Sequence, residues 1–240
     1  MSAGAVIGQA WALYKAHFRH LIAISVAVYG LIALLTLLLI AALGDLGVFM
    51  SAFVSVSGVF WLQGALVIAV DDVRDGRADL SLRETLERVR PRLNTLSLAA
   101  LLVAVATVIA AFLIAVGFLV LILPGLILLG LFLWALVRWI VVVPVIMLER
   151  SGVFGSFDRS AALVRGHGWT VLGVILLTAL ILIGIYIAVS VALFPLPNSW
   201  QGFVAQIVSS TLTAPFAALA WTLMYYELRG LGDVAPVPAL

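Results

Sequence analysis

The chain has no cysteine and a single lysine, and its three histidines are scattered over 240 residues. Without thiols there is no disulfide, no thiolate nucleophile and no cysteine-held metal, and three histidines, at 17, 20 and 167, give no expectation of a zinc site. Charge is scarce as well. Only 10% of the residues are charged against 65% hydrophobic, and the mean hydropathy is +1.28. So little polar surface excludes an ordinary soluble domain. The chain reads as an integral membrane protein, and no cofactor or metal is expected.

Six apolar stretches are long enough to cross about 30 Å of hydrocarbon, which takes roughly 20 helical residues. They are residues 21–43, 47–70, 95–122, 126–148, 170–194 and 201–226, together 149 of 240 residues, and Arg138 is the one formal charge among them. An open sheet would leave backbone groups unsatisfied in lipid, and the alternation of a barrel strand is absent, so all six are expected to be helices. Residues 1–20 lack a short apolar core ahead of a small-residue cleavage site. No cleavable signal peptide is therefore expected, and the first span is retained.

Lysine and arginine fall on alternate connections. Lys15 and Arg19 precede the first span, six arginines lie within 71–94, Arg150, Arg159 and Arg165 lie within 149–169, and Arg229 follows the last span. The turns near 44–47, 123–125 and 194–201 carry none. Basic loops stay on the cytoplasmic side, so both termini are expected in the cytoplasm of a protein integral to the cytoplasmic (inner) membrane. The pI near 9.3 then reflects topology and anionic lipid heads rather than nucleic acid. Membrane lipids are the expected partners, with a homo-oligomer or another membrane protein as further possibilities.

Internal repetition organises the chain. The stretches beginning at residues 6, 81 and 156 align without gaps at an offset of 75, so that Ile7, Leu82 and Phe157 coincide, as do Tyr14, Val89 and Val164, and Leu21, Leu96 and Val171. Basic residues coincide at Lys15, Arg90 and Arg165. The expected fold class is all-α: a polytopic six-transmembrane-helix bundle built from three repeats (about 5–72, 80–149 and 155–228) of an amphipathic helix plus a transmembrane hairpin. Residues 1–230 form one membrane domain, and 231–240 form a flexible cytoplasmic tail. The three short helices, near 5–18, 81–92 and 154–166, suit the membrane interface, with Lys15, Arg19, Arg90 and Arg165 at lipid headgroups. Trp11, Tyr14 and Phe18 favour interfacial burial for the first. The competing reading is a solvated linker helix, which fits the second best, where Glu84 and Glu87 alternate with arginines.

The run "DDVRDGRAD" places Asp71, Asp72, Asp75 and Asp79 in a spacing similar to the aspartate-rich motif that holds magnesium and diphosphate in membrane prenyltransferases. Such a site needs a second acidic cluster facing the first. Glu149, Asp158 and Glu227 stand alone, however, and Arg74 and Arg77 interrupt the run. Each hairpin also ends in acid, arginine and glycine ("DDVRDG", "LERSG", "YELRG"), so the run reads as a water-boundary signal. Asp79, with Ser81, is placed to cap the helix that follows.

Inside the spans, Pro144 and Pro215 are expected to kink their helices and Pro124-Gly125 to form a tight outer turn. Arg138 lies eleven residues before Glu149, about 16 Å at 1.5 Å per residue, which predicts a depth near the bilayer middle. A guanidinium there costs about 3 kcal/mol or more and should face protein. Its repeat counterpart is Gln63, and the third unit, with a longer outer turn, brings Thr213 or Phe216 to that depth near Gln206, which predicts a central polar cluster of Arg138, Gln63, Thr213 and Gln206 that could bind a lipid or other ligand. The alternative is an arginine snorkelling to water.

The segment "ILPGLILLGLFLWALVRWIVVVPVIMLE", then "SFDRSAALVRGHGWTVLGVILL" and "MYYELRG", resembles the six-helix membrane domain that precedes the catalytic domain in some membrane-bound glycerophosphodiester phosphodiesterases and also occurs in stand-alone proteins. The resemblance extends to about residue 230. It rests on Pro124-Gly125, Arg138, Pro144, Glu149, Ser160 with Arg165, and Tyr226-Glu227-Leu228-Arg229. No stretch is left for a phosphodiesterase domain, so hydrolysis is not carried over. The function expected is a noncatalytic, lipid-associated scaffold or binder of a lipid or apolar ligand. The alternatives are a transporter built on the Arg138 cluster and a magnesium-dependent lipid-modifying enzyme built on Asp71, Asp72 and Asp75.

Overall fold

The computed structural model describes residues 2–74, 80–194 and 198–233. Among the described residues ten α-helices follow one another: α1 (Ala3–Ala16), α2 (Phe18–Leu43), α3 (Asp45–Arg74), α4 (Leu82–Val89), α5 (Leu93–Val120), α6 (Ile122–Trp139), α7 (Val142–Leu148), α8 (Val153–Val164), α9 (Gly168–Ala192) and α10 (Asn198–Asp233). No strand occurs among the described residues. Six helical stretches among the described residues are long and apolar enough to cross a membrane. They pair as three hairpins, α2 with α3, α5 with α6, and α9 with α10. The all-α, six-span class expected from the sequence is therefore observed.

Local chemistry explains the boundaries. Ser81 caps α4 in a reciprocal capping box with Glu84, which satisfies amide groups that the first helical turn leaves free. Asp79, the other expected cap, lies outside the described residues, as do Asp75 and Arg77. Gly44 takes a left-handed backbone (φ 55°) between α2 and α3, where glycine pays no steric penalty. A Cβ on Gly47 would fall on the carbonyl of Leu39, so these two glycines let the hairpin close.

The core sits at one end. Its largest fully buried side chains include Leu21, Ile24, Leu66, Leu96, Ile146, Phe216 and Tyr225, all near the end that carries α1, α4, α8 and the arginines. At the far end the spans expose Leu37, Phe49, Phe112, Leu119 and Leu123, as lipid-facing helices do. Helix length accounts for this. α6 has 18 residues, about 27 Å, close to the hydrocarbon thickness. By contrast α3 has 30 residues and α10 has 36, about 45 and 54 Å, so both overshoot. The overshoot lies at the basic end, where α3, α7, α8 and α10 share a core beyond the apolar layer. Positions 75 residues apart are buried alike there: Ala10, Thr85 and Ser160, then Leu21, Leu96 and Val171, then Ile24, Ala99 and Val174 are each 0% exposed.

Four expectations need correction. The fourth span is not one helix: it breaks at Ile140–Val141, and Pro144 occupies the first turn of α7, where its missing N–H removes no helical bond. Pro124-Gly125 is not a turn. Leu121 makes the break and Pro124 lies in the first turn of α6, while Gly125 lets α6 pack on Phe118 and Gly117 of α5. α1 buries its stripe of Val6, Ala10 and Tyr14 against α9 and α10 rather than in lipid. Lastly, α10 runs unbroken through Pro215 to Asp233, past the domain boundary expected at residue 230, and 234–240 lie outside the described residues. Near Pro215 the Tyr14 hydroxyl donates to the Leu212 carbonyl at 2.9 Å, supporting a turn whose own bonding the proline weakens. Burial pushes the Tyr14 hydroxyl pKa up, which keeps it a donor.

Candidate functional site

Arg138 stands one residue before the end of α6. α6 alone, about 27 Å long, approaches the hydrocarbon thickness, while the apolar stretch to which it belongs continues to Leu148. The depth read from the sequence assumed one straight helix to Glu149, and the break before α7 removes that assumption. The guanidinium sits 4.4 Å from the centre of the Trp134 ring, a favourable cation–π placement. Arg138 forms no hydrogen bond to Gln63, Thr213 or Gln206, and α6 packs on α5, α8 and α9 instead of α3 and α10. Gln206 is exposed and bonds to Ser210 one turn on at 3.1 Å; Thr213 reaches the Ser210 carbonyl at 3.5 Å. Gln63 is half-buried on α3. The expected central polar cluster is therefore not assembled.

Arg138 is instead brought to Arg165. Both line a small cavity of about 170 Å³ with Trp134, Ala161 and Gly168. Two devices hold them there. The Ser160 hydroxyl donates to the Arg138 carbonyl at 2.6 Å, fastening α8 to the end of α6 where the break leaves that carbonyl without its helical partner. Gly166 adopts φ 83°, a left-handed turn suited to glycine, which swings the chain from α8 into α9. Of the other expected headgroup residues, Lys15, Arg19 and Arg90 are exposed at the same end, as is Arg165.

The ends of the three hairpins meet in a polar junction. The Tyr225 hydroxyl donates to Glu149 at 3.0 Å, Arg159 holds the same carboxylate at 3.0 Å, and Arg229 reaches the Tyr225 oxygen at 3.5 Å. Tyr226 donates to Asp71, and the Arg74 guanidinium lies 3.8 Å from the Tyr226 ring centre. Asp72 is buried and its Oδ2 accepts the Leu80 amide at 3.1 Å. Asp71 and Asp72 thus serve as intramolecular acceptors, and among the described residues no three His, Asp or Glu side chains are placed to share a metal ion. Tyr225, Arg159 and the pairing of Asp71 were not anticipated. The repeated acid–arginine–glycine pattern marked the place, but not which hairpin end binds which.

Residues 119–226 match the membrane domain of glycerophosphoryl diester phosphodiesterase. No curated protein and no solved structure matches the chain. The matched stretch takes in α6 to α9 and most of α10, and with them Arg138, Glu149, Ser160, Arg165 and both junction tyrosines. The resemblance read from the sequence is thereby shown over this stretch.

Proposed function

We propose that the chain is a noncatalytic, lipid-associated module of the cytoplasmic membrane, with its termini and short helices on the cytoplasmic side and three copies of one helix-plus-hairpin unit. The observation that carries this reading is the asymmetry of packing: the hairpins are joined by a core at the basic end and separate toward the far end. Apolar grooves open there to the bilayer, one of about 710 Å³ between α3 and α5, walled by Phe49, Phe53, Leu101, Val105 and Ile109. Lipid chains fill such grooves at little cost because nothing polar faces them. The shared burial of positions 75 apart supports the three-copy reading, and the arginine-rich end suits the cytoplasmic leaflet. The engagement of Asp71 and Asp72 within the fold supports a structural role for that run.

The test is solvent extraction of the purified protein and mass spectrometry of what it carries. Enrichment of particular lipids over the bulk membrane is expected. Bulk composition, or a magnesium-dependent lipid conversion lost in Asp71→Asn with Asp72→Asn, would overturn the reading.

A further inference from the structure

We propose that the crevice between α6 and α9 is a binding site for an anionic phospholipid, with Arg138 and Arg165 on its phosphate and an acyl chain in the groove beneath them. Two features that differ in chemistry adjoin here. The first is an apolar groove of about 390 Å³ lined by Gly130, Leu133, Trp134, Val137, Trp169 and Leu172. The second is the two-arginine cavity, and the two share Trp134, Val137 and Gly168 as walls. An apolar trough with two cations at one end matches a lipid with a negative head.

Depth agrees with this. Gly130 to Val137 lies within α6, which at about 27 Å nearly matches the hydrocarbon thickness, and Arg138 lies at its end toward the basic side. Trp134 and Trp169 are 59% and 87% exposed, at the level where tryptophan favours the headgroup layer. Neither arginine is ion-paired with a carboxylate among the described residues, whereas the nearby Arg159 is taken by Glu149. Ser160 and Gly166 fix the two guanidinium-bearing segments, so little ordering remains for the ligand to impose. Gly130 meets nothing within 4 Å of where a Cβ would stand, which leaves the trough open along that side.

The assignment rests on the lipid-associated reading and sharpens it to one site and one class of head. The experiment is native mass spectrometry of the full chain in detergent, titrated with dioleoyl phosphatidylglycerol, with dioleoyl phosphatidylcholine as the neutral comparison and inorganic phosphate as competitor. Phosphatidylglycerol should bind more tightly than phosphatidylcholine. Arg138→Gln and Arg165→Gln should each weaken it roughly fivefold, as expected for one arginine at an anionic surface, with little change in phosphatidylcholine. Gly130→Leu, which fills the trough without touching either charge, should weaken both lipids. Arg83→Gln, on α4 and paired with Glu87, should change nothing. Equal binding of the two lipids, or unchanged selectivity in the arginine variants, overturns this site while leaving retained lipid elsewhere intact. Displacement by inorganic phosphate with no effect of Gly130→Leu would mean a free-phosphate site and overturn it too. Loss of all bound lipid from the unaltered protein would instead overturn the reading beneath it.

Discussion

Tyr225 donates its hydroxyl to Glu149 across 3.0 Å and 76 positions of sequence, tying the end of the third hairpin to the end of the second. Tyr225 is 0% exposed, so its hydroxyl has no water to fall back on. Tyr225→Phe should cost about 1–3 kcal/mol, the range for a buried hydrogen bond to a charged group. Glu149→Ala should cost more, because it strands both Tyr225 and Arg159. Arg159→Ala should cost least, since that side chain is 41% exposed and exposed pairs contribute little. Thermal melts of the three variants in one detergent check the order.

Gly47 and Gly125 make contrasting predictions. A Cβ on Gly47 would meet the backbone of Leu39, whereas one on Gly125 would meet the ring of Phe118 at 2.5 Å. Backbone cannot yield without opening the hairpin, but a side chain near the membrane surface can rotate. Gly47→Ala should therefore lower the melting temperature clearly more than Gly125→Ala. Equal effects would show that the α2–α3 contact is looser than described.

How much of this was legible in the sequence follows from what each signal depends on. The spans and the short helices were readable because apolar length and three-to-four-residue spacing are local properties, and α1, α4 and α8 begin within a few residues of their expected starts. The break that ends α6 was not legible because hydropathy runs on evenly through Val141 and Val142. Pairings such as Tyr226 with Asp71 join residues 155 apart, and no local pattern encodes them. The link between Arg138 and Arg165 depends on Ser160 reaching the α6 carbonyl, a contact that needs the packed fold.

The absence of cysteine makes topology simple to test. Asp45→Cys lies in the exposed far turn between α2 and α3, and Glu87→Cys lies on the exposed face of α4. In intact cells an impermeant thiol reagent should label the first and not the second, while after lysis both should react. The reverse pattern would invert the orientation.

The central claim is that the separated ends of the hairpins hold lipid. Its most direct test counts phospholipids retained by the unaltered protein and by Ala104→Trp, whose side chain would occupy the groove between α3 and α5, using native mass spectrometry in the same mild detergent. The account predicts retained phospholipid on the unaltered protein and fewer molecules on the variant, with an unchanged melting temperature after lipid is removed from both. Equal counts on the two proteins, or no phospholipid on either, would contradict it.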